Sequence, residues 1–158
     1  YMGEQKKSES EYKKIVEVVR TNFEGPVCLI SEFANRFVER GYGTIVGISS
    51  IAGSRGRASN YVYGSAKAGF TAFLSGLRNR LFKHNVHVVT VLPGFVDTKM
   101  TEDMNLPSIL VSKPKKLAKL IYASVQSKKD IVYSMFIWRI INIIILGIPE
   151  KVFKKLNF

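Results

Sequence analysis

The sequence has very little cysteine and histidine. Its one cysteine, Cys28, excludes an internal disulfide, is typical of a reducing compartment, and is expected to be a small buried apolar residue. The two histidines, His84 and His87, lack the cysteine or carboxylate pattern of a metal site. The sequence also lacks low-complexity tracts, paired catalytic carboxylates, a nucleophile elbow and a phosphate-binding loop. Composition therefore argues against a disulfide scaffold, a metalloprotein and an ordinary hydrolase.

The length and composition of the chain indicate a globular protein. A chain of 158 residues with 46% hydrophobic composition can bury a sizeable core, so residues 1–158 are predicted to form a single domain. The N-terminal stretch is charged and has no apolar core of the kind found in secretory signals, which predicts a cytoplasmic protein. The first residue is Tyr1 rather than methionine, which suggests that the numbering begins inside a longer chain.

Positive charge is concentrated at the C-terminal end. The formal net charge is +12, and residues 113–158 carry ten Lys and Arg side chains against two acids. This basic region adjoins the most apolar segment of the chain, a combination that favours an anionic membrane surface over a nucleic acid. A solvated, solubilising surface is the alternative. We therefore expect no nucleic-acid partner.

The apolar segment from Met135 to Ile148 is fourteen residues long. It is too short to span a bilayer, which needs roughly 20 residues. Pro149 should end or kink it, and a lysine cluster (Lys151, Lys154 and Lys155) follows. Residues 135–158 are therefore predicted either to lie in the membrane interface, at the inner face, or to cover the substrate cleft or a subunit interface as ordinary core.

Helical and strand-like segments alternate along the chain. The predicted elements are a helix over 10–40 interrupted at Pro26, a strand over 43–50, a loop over 51–60, a helix over 63–83, a strand over 86–94, a loop over 95–112 with room for a short helix, a helix over 113–127, a strand over 130–134 and a terminal helix over 135–158. The connections are too long for hairpins. This order predicts an α/β architecture with a parallel sheet covered by helices.

Tyr63 and Lys67 are spaced i, i+4 near the start of a predicted helix, which places both side chains on one face. A phenol ordinarily has a pKa near 10, and a nearby ammonium lowers it toward the range useful for proton transfer. By itself the pair could equally be an ordinary surface pair on a helix.

The surrounding motifs carry more information. In the segment IVGISSIAG, Ser50 lies thirteen residues before Tyr63, and the segment VVTVLPGFVDT follows Lys67. In this order, the sequence resembles the short-chain dehydrogenase/reductase family over essentially its whole length. The resemblance implies the C-terminal part of a Rossmann-like, doubly wound parallel sheet with flanking helices. It also implies an NADPH- or NADH-dependent oxidoreductase that interconverts a carbonyl and an alcohol.

The family resemblance implies roles for four residues. Ser50 would hydrogen-bond the substrate carbonyl oxygen, with Ser49 as the competing serine. Tyr63 would transfer the proton, and Lys67 would bind the nicotinamide ribose hydroxyls and tune Tyr63. Asn22 would support a proton-relay water beside the lysine, although a capping role would also explain a polar residue there.

The resemblance also implies a second group of cofactor contacts after the second strand. Pro93, Gly94, Val96 and Thr98 match the family's Pro-Gly turn, which meets the carboxamide end of the cofactor. A turn that ends a strand would favour Pro-Gly in any fold, so Thr98 is the most informative of these positions.

The family's N-terminal dinucleotide-binding strands and its Thr-Gly-x-x-x-Gly-x-Gly turn have no counterpart in this sequence. We therefore expect an exposed edge on the 43–50 strand and no turnover by this chain alone. The resemblance further implies a homo-oligomer through the two long helices, with surplus apolar side chains at Phe37, Phe73 or Leu77. A non-catalytic binding or scaffold protein with the same fold, or an inactive fragment, is the alternative function.

A narrower likeness concerns the stretch from Gly47 to Phe82 and the ending IPEKVFKKLNF. These segments look like the reductases that take part in decaprenylphosphoryl-ribose epimerisation. That likeness implies a small-molecule or lipid-linked carbonyl substrate, namely a keto sugar attached to a polyprenyl phosphate.

Overall fold

The computed structural model of the protein describes residues 1–102 and 104–156. Its strands are β1 Gly43–Ile48, β2 Val86–Leu92, β3 Phe95–Val96, β4 Val111–Ser112 and β5 Ile131–Tyr133. The main sheet contains three parallel strands in the order β1-β2-β5, and a second sheet pairs β3 with β4 in parallel. The predicted parallel sheet is confirmed. β1 has no strand on its outer side within the described residues, so it forms an edge as expected.

Seven α-helices surround the sheet. They are α1 Gln5–Ser10, α2 Tyr12–Val19, α3 Gly25–Arg40, α4 Tyr61–Leu81, α5 Pro114–Gln126, α6 Phe136–Gly147 and α7 Glu150–Phe153 within the described residues. Short 3-10 turns cover Ile51–Gly53, Phe82–His84 and Ser108–Leu110. The predicted helices over 63–83 and 113–127 correspond to α4 and α5, with boundaries that differ by one or two residues.

Helices cover both faces of the sheet because β2 is apolar on both sides. Val86 and Val88 pack with α3 and α4, whereas Val89 and Val91 pack with Leu117 of α5. A strand that is buried on both faces has a nearly continuous apolar sequence, as β2 has with VHVVTVL. This layering is the Rossmann-like arrangement that the sequence predicted.

The predicted long N-terminal helix is divided by a π-helical turn, Arg20–Glu24. The Gly25 amide donates to the Arg20 carbonyl, five residues back, and Pro26 lies in the first turn of α3. Proline has no amide hydrogen and its ring crowds the preceding turn, so an irregular turn just before Pro26 is its expected effect. The predicted interruption is confirmed, although it lies on the N-terminal side of the proline.

The predicted terminal helix over 135–158 is wrong in its length. α6 ends at Gly147, Pro149 precedes the short α7, and residues 157–158 lie outside the described residues. Arg55 fixes the break between the two helices. Its guanidinium donates to the carbonyls of Ile145 and Ile148 at 2.8 and 2.5 Å and contacts Glu150 at 2.6 Å.

α6 is apolar on both its inner and its outer side, apart from the buried Asn142 and the exposed Arg139. Asn142 is buried beside Trp138, and its amide donates to the Tyr133 hydroxyl at 3.3 Å. The outward side carries Phe136, Ile143 and Ile144, which are 73%, 62% and 59% exposed. None of the helices built from residues 1–102 and 104–156 combines the length and apolar character needed to cross a bilayer.

Two expectations about individual side chains are wrong. Cys28 is exposed on α3 rather than buried. Leu77, expected among surplus apolar residues on the surface, lies in the core, while Phe37 and Phe73 are partly buried against it. The exposed apolar side chains of α3 are instead Leu29 and Phe33, at 61% and 45% exposure.

Candidate active site

The carboxyl ends of β1 and β2 lie side by side and form one edge of the sheet. The Ser49 amide donates to Val91 at 2.9 Å, and the Ile51 amide donates to Pro93 at 3.1 Å. These bonds join the Ser49–Ser50 segment to the Pro93–Gly94 turn. In parallel α/β sheets, ligands bind outside the carboxyl ends of the strands, so this edge is the expected place for a site.

Two glycines allow the turn after Ser50 to press against α4. A Cβ atom on Gly53 would lie 2.6–3.0 Å from the backbone of Lys67 and Ala68. One on Gly64 would lie 2.8 Å from the Ala52 carbonyl oxygen. Since backbone atoms cannot move aside cheaply, glycine at both positions keeps the serine turn in contact with the first two turns of α4. The sequence interpretation missed this role.

The structure separates the two adjacent serines. The buried Ser49 hydroxyl bonds to the Lys67 carbonyl at 3.0 Å and to the Thr71 hydroxyl at 2.7 Å, so it holds β1 against α4. Ser50 lines a cleft at the sheet edge, and its hydroxyl accepts a hydrogen bond from the Ala52 amide at 3.1 Å. Ser50, the serine predicted from spacing, is therefore the one positioned to contact a ligand.

Tyr63 shares that cleft with Ser50. Its ring packs with Val18, Ala52 and Val62, which leaves the side chain 8% exposed. Burial raises the pKa of the Tyr63 phenol, and hydrogen bonding with Ser50 offsets part of that increase. The phenol is consequently protonated at neutral pH and can act as a proton donor.

Lys67 lies one helical turn beyond Tyr63. Its ammonium donates to the Ile48 carbonyl at 3.1 Å and lies 5.7 Å from the centre of the Tyr63 ring. Burial lowers the pKa of Lys67. The structure does not support the expectation that this lysine lowers the pKa of Tyr63. Burial has the largest effect on this pKa and raises it, and the neighbour that lowers it is Ser50, through a hydrogen bond.

Asn22 lies in the π-helical turn and is buried. Its side-chain amide donates to the carbonyls of Tyr1 and Val18 at 2.7 and 2.9 Å. No hydrogen bond between Asn22 and Tyr63 or Lys67 is present in the described part of the chain. The predicted relay role therefore stays a prediction, and the contacts seen here hold the irregular turn together.

The Pro93–Gly94 turn is held from behind by α6 and β5. Gly94 donates its amide to the Ser134 hydroxyl at 3.1 Å, and a Cβ atom at this position would overlap the Trp138 ring. Trp138 donates its indole hydrogen to the Leu110 carbonyl at 3.0 Å. Among the predicted cofactor residues here, Gly94 lines the cleft, whereas Pro93 is buried behind it.

Val96 and Thr98 follow this turn. Val96 belongs to β3, and its carbonyl accepts hydrogen bonds from the hydroxyls of Thr98 at 3.3 Å and Thr101 at 2.6 Å. Thr98 is exposed, and Thr101 is the threonine that lines the cleft. The structure therefore groups Ser50, Tyr63 and Gly94 in the cleft, whereas Val96 and Thr98 are not among the residues that line it.

The cleft has a volume of about 150 Å³ and includes polar residues that the sequence interpretation missed. Arg57 and Asn60, from the loop before α4, line it together with Ser50 and Tyr63. The Arg57 Nε and the Asn60 Oδ1 are buried and have no hydrogen-bond partner within residues 1–102 and 104–156. Apolar side chains, including Met2, Phe95, Met100 and Met104, form much of the remaining wall.

The family is shown by sequence comparison. The family model described as short chain dehydrogenase matches residues 2–108, which is more than half of the chain. The chain belongs to the short-chain dehydrogenase family. An uncharacterized oxidoreductase of Mycobacterium tuberculosis is 33% identical over 155 residues, covering 98% of this chain and 62% of the relative. One of Streptomyces coelicolor is 32% identical over 154 residues, covering 98% and 61%.

Solved structures show the same short-chain dehydrogenase fold. A short-chain dehydrogenase from Burkholderia cenocepacia in complex with NADP matches with a TM-score of 0.77 and 21% identity, covering 87% of this chain and 56% of that one. One from Sphingobium yanoikuyae in complex with NADPH gives 0.76 and 21%, covering 90% and 60%. The chain spans about 60% of the length of the curated relatives named above.

Proposed function

We propose that the protein containing this chain is an NAD(P)-dependent oxidoreductase that interconverts a carbonyl and an alcohol. The observation that carries the proposal is the grouping of the Ser50 and Tyr63 hydroxyls in one cleft, with Lys67 one helical turn away. Family membership supports this reaction class. The NADP and NADPH bound to the two structural neighbours support the choice of cofactor.

The donor set fits the nicotinamide-ribose end of such a cofactor. An ammonium has three hydrogens to donate, and one hydrogen bond of Lys67, to Ile48, is present within the described residues, so ribose hydroxyls can take the others. Pro93, Gly94, Val96 and Thr98 would contact the carboxamide end. The sequence has no Gly-rich turn for the pyrophosphate. The 158-residue chain alone is therefore expected to bind NADH and NADPH weakly, and micromolar affinity by nicotinamide fluorescence would contradict this.

When bound, the dinucleotide supplies or accepts the hydride at the carbonyl carbon. In the reduction direction, Tyr63 donates its phenolic proton to the carbonyl oxygen, which becomes the alcohol oxygen. Ser50 donates a hydrogen bond to the same oxygen while negative charge develops there. Because burial raises the pKa of Tyr63, the proton is available throughout the neutral range, and reduction should slow only at alkaline pH.

Isotope transfer tests this reaction. The complete gene product is incubated with NADPH or NADH carrying deuterium at the reactive carbon and with a panel of ketones and aldehydes, and the alcohol products are examined by mass spectrometry. We expect deuterium on the former carbonyl carbon. Ser50→Ala should reduce the rate by about 10²–10³-fold, since a donor to the developing oxyanion is lost. A matched Ser49→Ala variant reports on packing against α4, and equal losses in both variants would contradict the assignment of Ser50.

We further propose that the substrate is a keto sugar linked to a polyprenyl phosphate, and that α6 meets a membrane. Most outward side chains of α6 are apolar. Lys151 of α7, with Lys154 and Lys155 just after it, adds positive charge, which suits an interfacial helix next to anionic headgroups. Vesicles of phosphatidylglycerol should pellet the protein at low salt and release it at high salt. Ile143→Asp/Ile144→Asp should abolish pelleting, whereas Phe82→Asp, at a site outside α6 that is even more exposed, should not. Pelleting unaffected by the α6 changes would contradict this proposal.

A homo-oligomer is proposed through α3 and α4. Leu29 and Phe33 lie one helical turn apart on α3 and are exposed, so they form an apolar strip of the kind that a two-fold interface covers. Light scattering at tens of micromolar should give a dimer or a higher multiple. Phe33→Asp should shift it toward monomer, and a monomeric wild-type protein would contradict the proposal.

A further inference from the structure

Two arginines two residues apart in the loop before α4 have opposite surroundings. The Arg55 guanidinium has backbone carbonyl, carboxylate and aromatic contacts to the α6–α7 region, including a 3.7 Å approach to the Phe153 ring. Arg57 has no ion pair among residues 1–102 and 104–156, and its Nε is buried without a partner. The loop therefore uses one arginine to fix the C-terminal helices and leaves the other in the cleft.

A half-buried guanidinium without a counter-charge is unfavourable in the folded protein. Removing the Nε hydrogen from water without a replacement acceptor costs free energy, and burial lowers the pKa of Arg57. The described residues that line the cleft include no aspartate or glutamate. A ligand that brings an anionic group into the cleft would supply the missing acceptor.

Asn60 provides a second, independent observation at the same place. It occupies the N-cap position of α4, where an asparagine side chain ordinarily accepts a hydrogen bond from the helix backbone. Here the side chain makes no cap bond, its buried Oδ1 has no partner among the residues that the structure describes, and Asn60 lines the same cleft as Arg57. Rotation of the amide by half a turn exchanges the places of its oxygen and its NH₂, and the NH₂ is the group that can donate to an anion.

We propose that Arg57, assisted by Asn60, binds an anionic group of the carbonyl substrate, either a carboxylate or a phosphate ester. The inference rests on the proposed oxidoreductase function, since Ser50 and Tyr63 line the same cleft and would act on the carbonyl of the same molecule. The planar guanidinium can donate two parallel hydrogen bonds to either anion. Arg57 thus determines specificity for charge, and Ser50 and Tyr63 carry the reaction.

The activity test uses matched pairs of ketones in the complete gene product. The pairs are dihydroxyacetone phosphate with dihydroxyacetone, and acetoacetate with methyl acetoacetate, which separate phosphate from carboxylate recognition. Wild type should show a kcat/KM for one or both anionic members at least about tenfold above the neutral partner, as expected for a charged hydrogen bond. Arg57→Gln should lower this ratio at least about tenfold. Arg57→Lys should lower it by less, because lysine keeps the charge but cannot donate two parallel hydrogen bonds.

Arg80→Gln is the matched control, because Arg80 lies at the other end of α4 and binds Asn35. It should leave the ratio unchanged. An unchanged ratio in Arg57→Gln would overturn the inference while leaving the proposed function intact. A change in the affinity for NADPH alone would also overturn it, because it would assign Arg57 to the cofactor.

A binding readout separates this inference from the proposed function. Inorganic phosphate or acetoacetate, compared with sodium chloride at equal ionic strength, should raise the melting temperature of the wild-type protein, since a ligand that binds the folded state stabilises it. Arg57→Gln should lose this increase and Arg80→Gln should keep it. Arg57-dependent binding without ketone reduction would contradict the proposed function alone, and no specific increase in wild type would contradict the anion site.

Discussion

α4 lines the cleft through Tyr63 and α6 packs behind it through Trp138, but the two helices differ in how many of their apolar side chains are buried. α4 buries apolar side chains such as Leu74 and Leu81 in the core and carries Tyr63 and Lys67 at its start. α6 buries Asn142 and exposes Ile143 and Ile144. The first pattern is explained by packing within this chain. The second is explained on its inner side by Trp138 and Arg55, whereas nothing among the described residues covers its outer side, for which we propose a membrane contact.

The largest expected stability effect is at the buried side of α4. Leu74 is fully buried between α4 and β1, where its side chain fills the space left by Gly47. Leu74→Ala should lower the free energy of unfolding by about 2–5 kcal/mol, as large-to-small core changes do. Urea unfolding of the complete gene product measures it. A loss below about 1 kcal/mol would mean that the α4 core is less tightly packed than described.

A smaller effect is expected where α4 meets the serine turn. Gly53→Ala places a methyl group against the backbone of Lys67 and Ala68, so the turn must move away from α4. We expect a loss of about 1–3 kcal/mol in stability. Carbonyl reduction should also fall, because Ser50 moves with the turn. Gly56→Ala, which adds a methyl group in open space, is the control, and equal effects of the two changes would contradict the close contact.

A still smaller loss of stability is expected when the attachment of α6 is disturbed. Arg55→Met removes the donors to the Ile145 and Ile148 carbonyls, which should cost about 1 kcal/mol because water can partly replace them. Hydrogen exchange should accelerate in α6 and α7 and remain unchanged in α4. Arg139→Met, an exposed arginine on α6 itself, should leave exchange unaffected. Faster exchange in α4 would show that the two helices are not separately supported.

The smallest effect is expected on the outer side of α6. Ile143→Gln should change the stability of the protein without vesicles by less than about 0.5 kcal/mol, since an exposed side chain loses few contacts. Chemical denaturation measures this directly. A loss above about 2 kcal/mol would mean that Ile143 is covered in solution, and would favour a subunit interface over a membrane surface.

The alternation of helices and strands was predictable because the apolar runs of β1 and β2 and the periodicity of α4 are local signals. Tyr63 and Ser50 were predictable because their spacing is a property of the chain. The roles of Gly53 and Gly64 were not, since a glycine in a loop does not reveal which backbone lies opposite. The same limit applies to Arg57, because burial of a single arginine depends on tertiary packing.

The orientation of helices and the positions of irregular segments could not be predicted from the sequence either. The apolar segment predicted α6, but isoleucines occur on both of its sides, and Asn142 alone indicates the inner one once Tyr133 is in place. The two-residue strands β3 and β4 are too short to produce alternation. The pKa of Tyr63 depends on how deeply α2 buries its ring, which the Tyr63–Lys67 spacing does not reveal.

The account depends most on the proton transfer by Tyr63, and a matched pair of tyrosine variants of the complete gene product tests it. Tyr63→Phe removes only the hydroxyl of a residue that is 8% exposed in the cleft, and Tyr61→Phe does the same two residues earlier at 45% exposure. We predict that Tyr63→Phe lowers kcat/KM for carbonyl reduction by about 10²–10⁴-fold, with cofactor affinity retained. Tyr61→Phe should stay within about threefold of wild type. Activity of Tyr63→Phe within about threefold of wild type, less than about 0.7 kcal/mol in barrier, would contradict the mechanism.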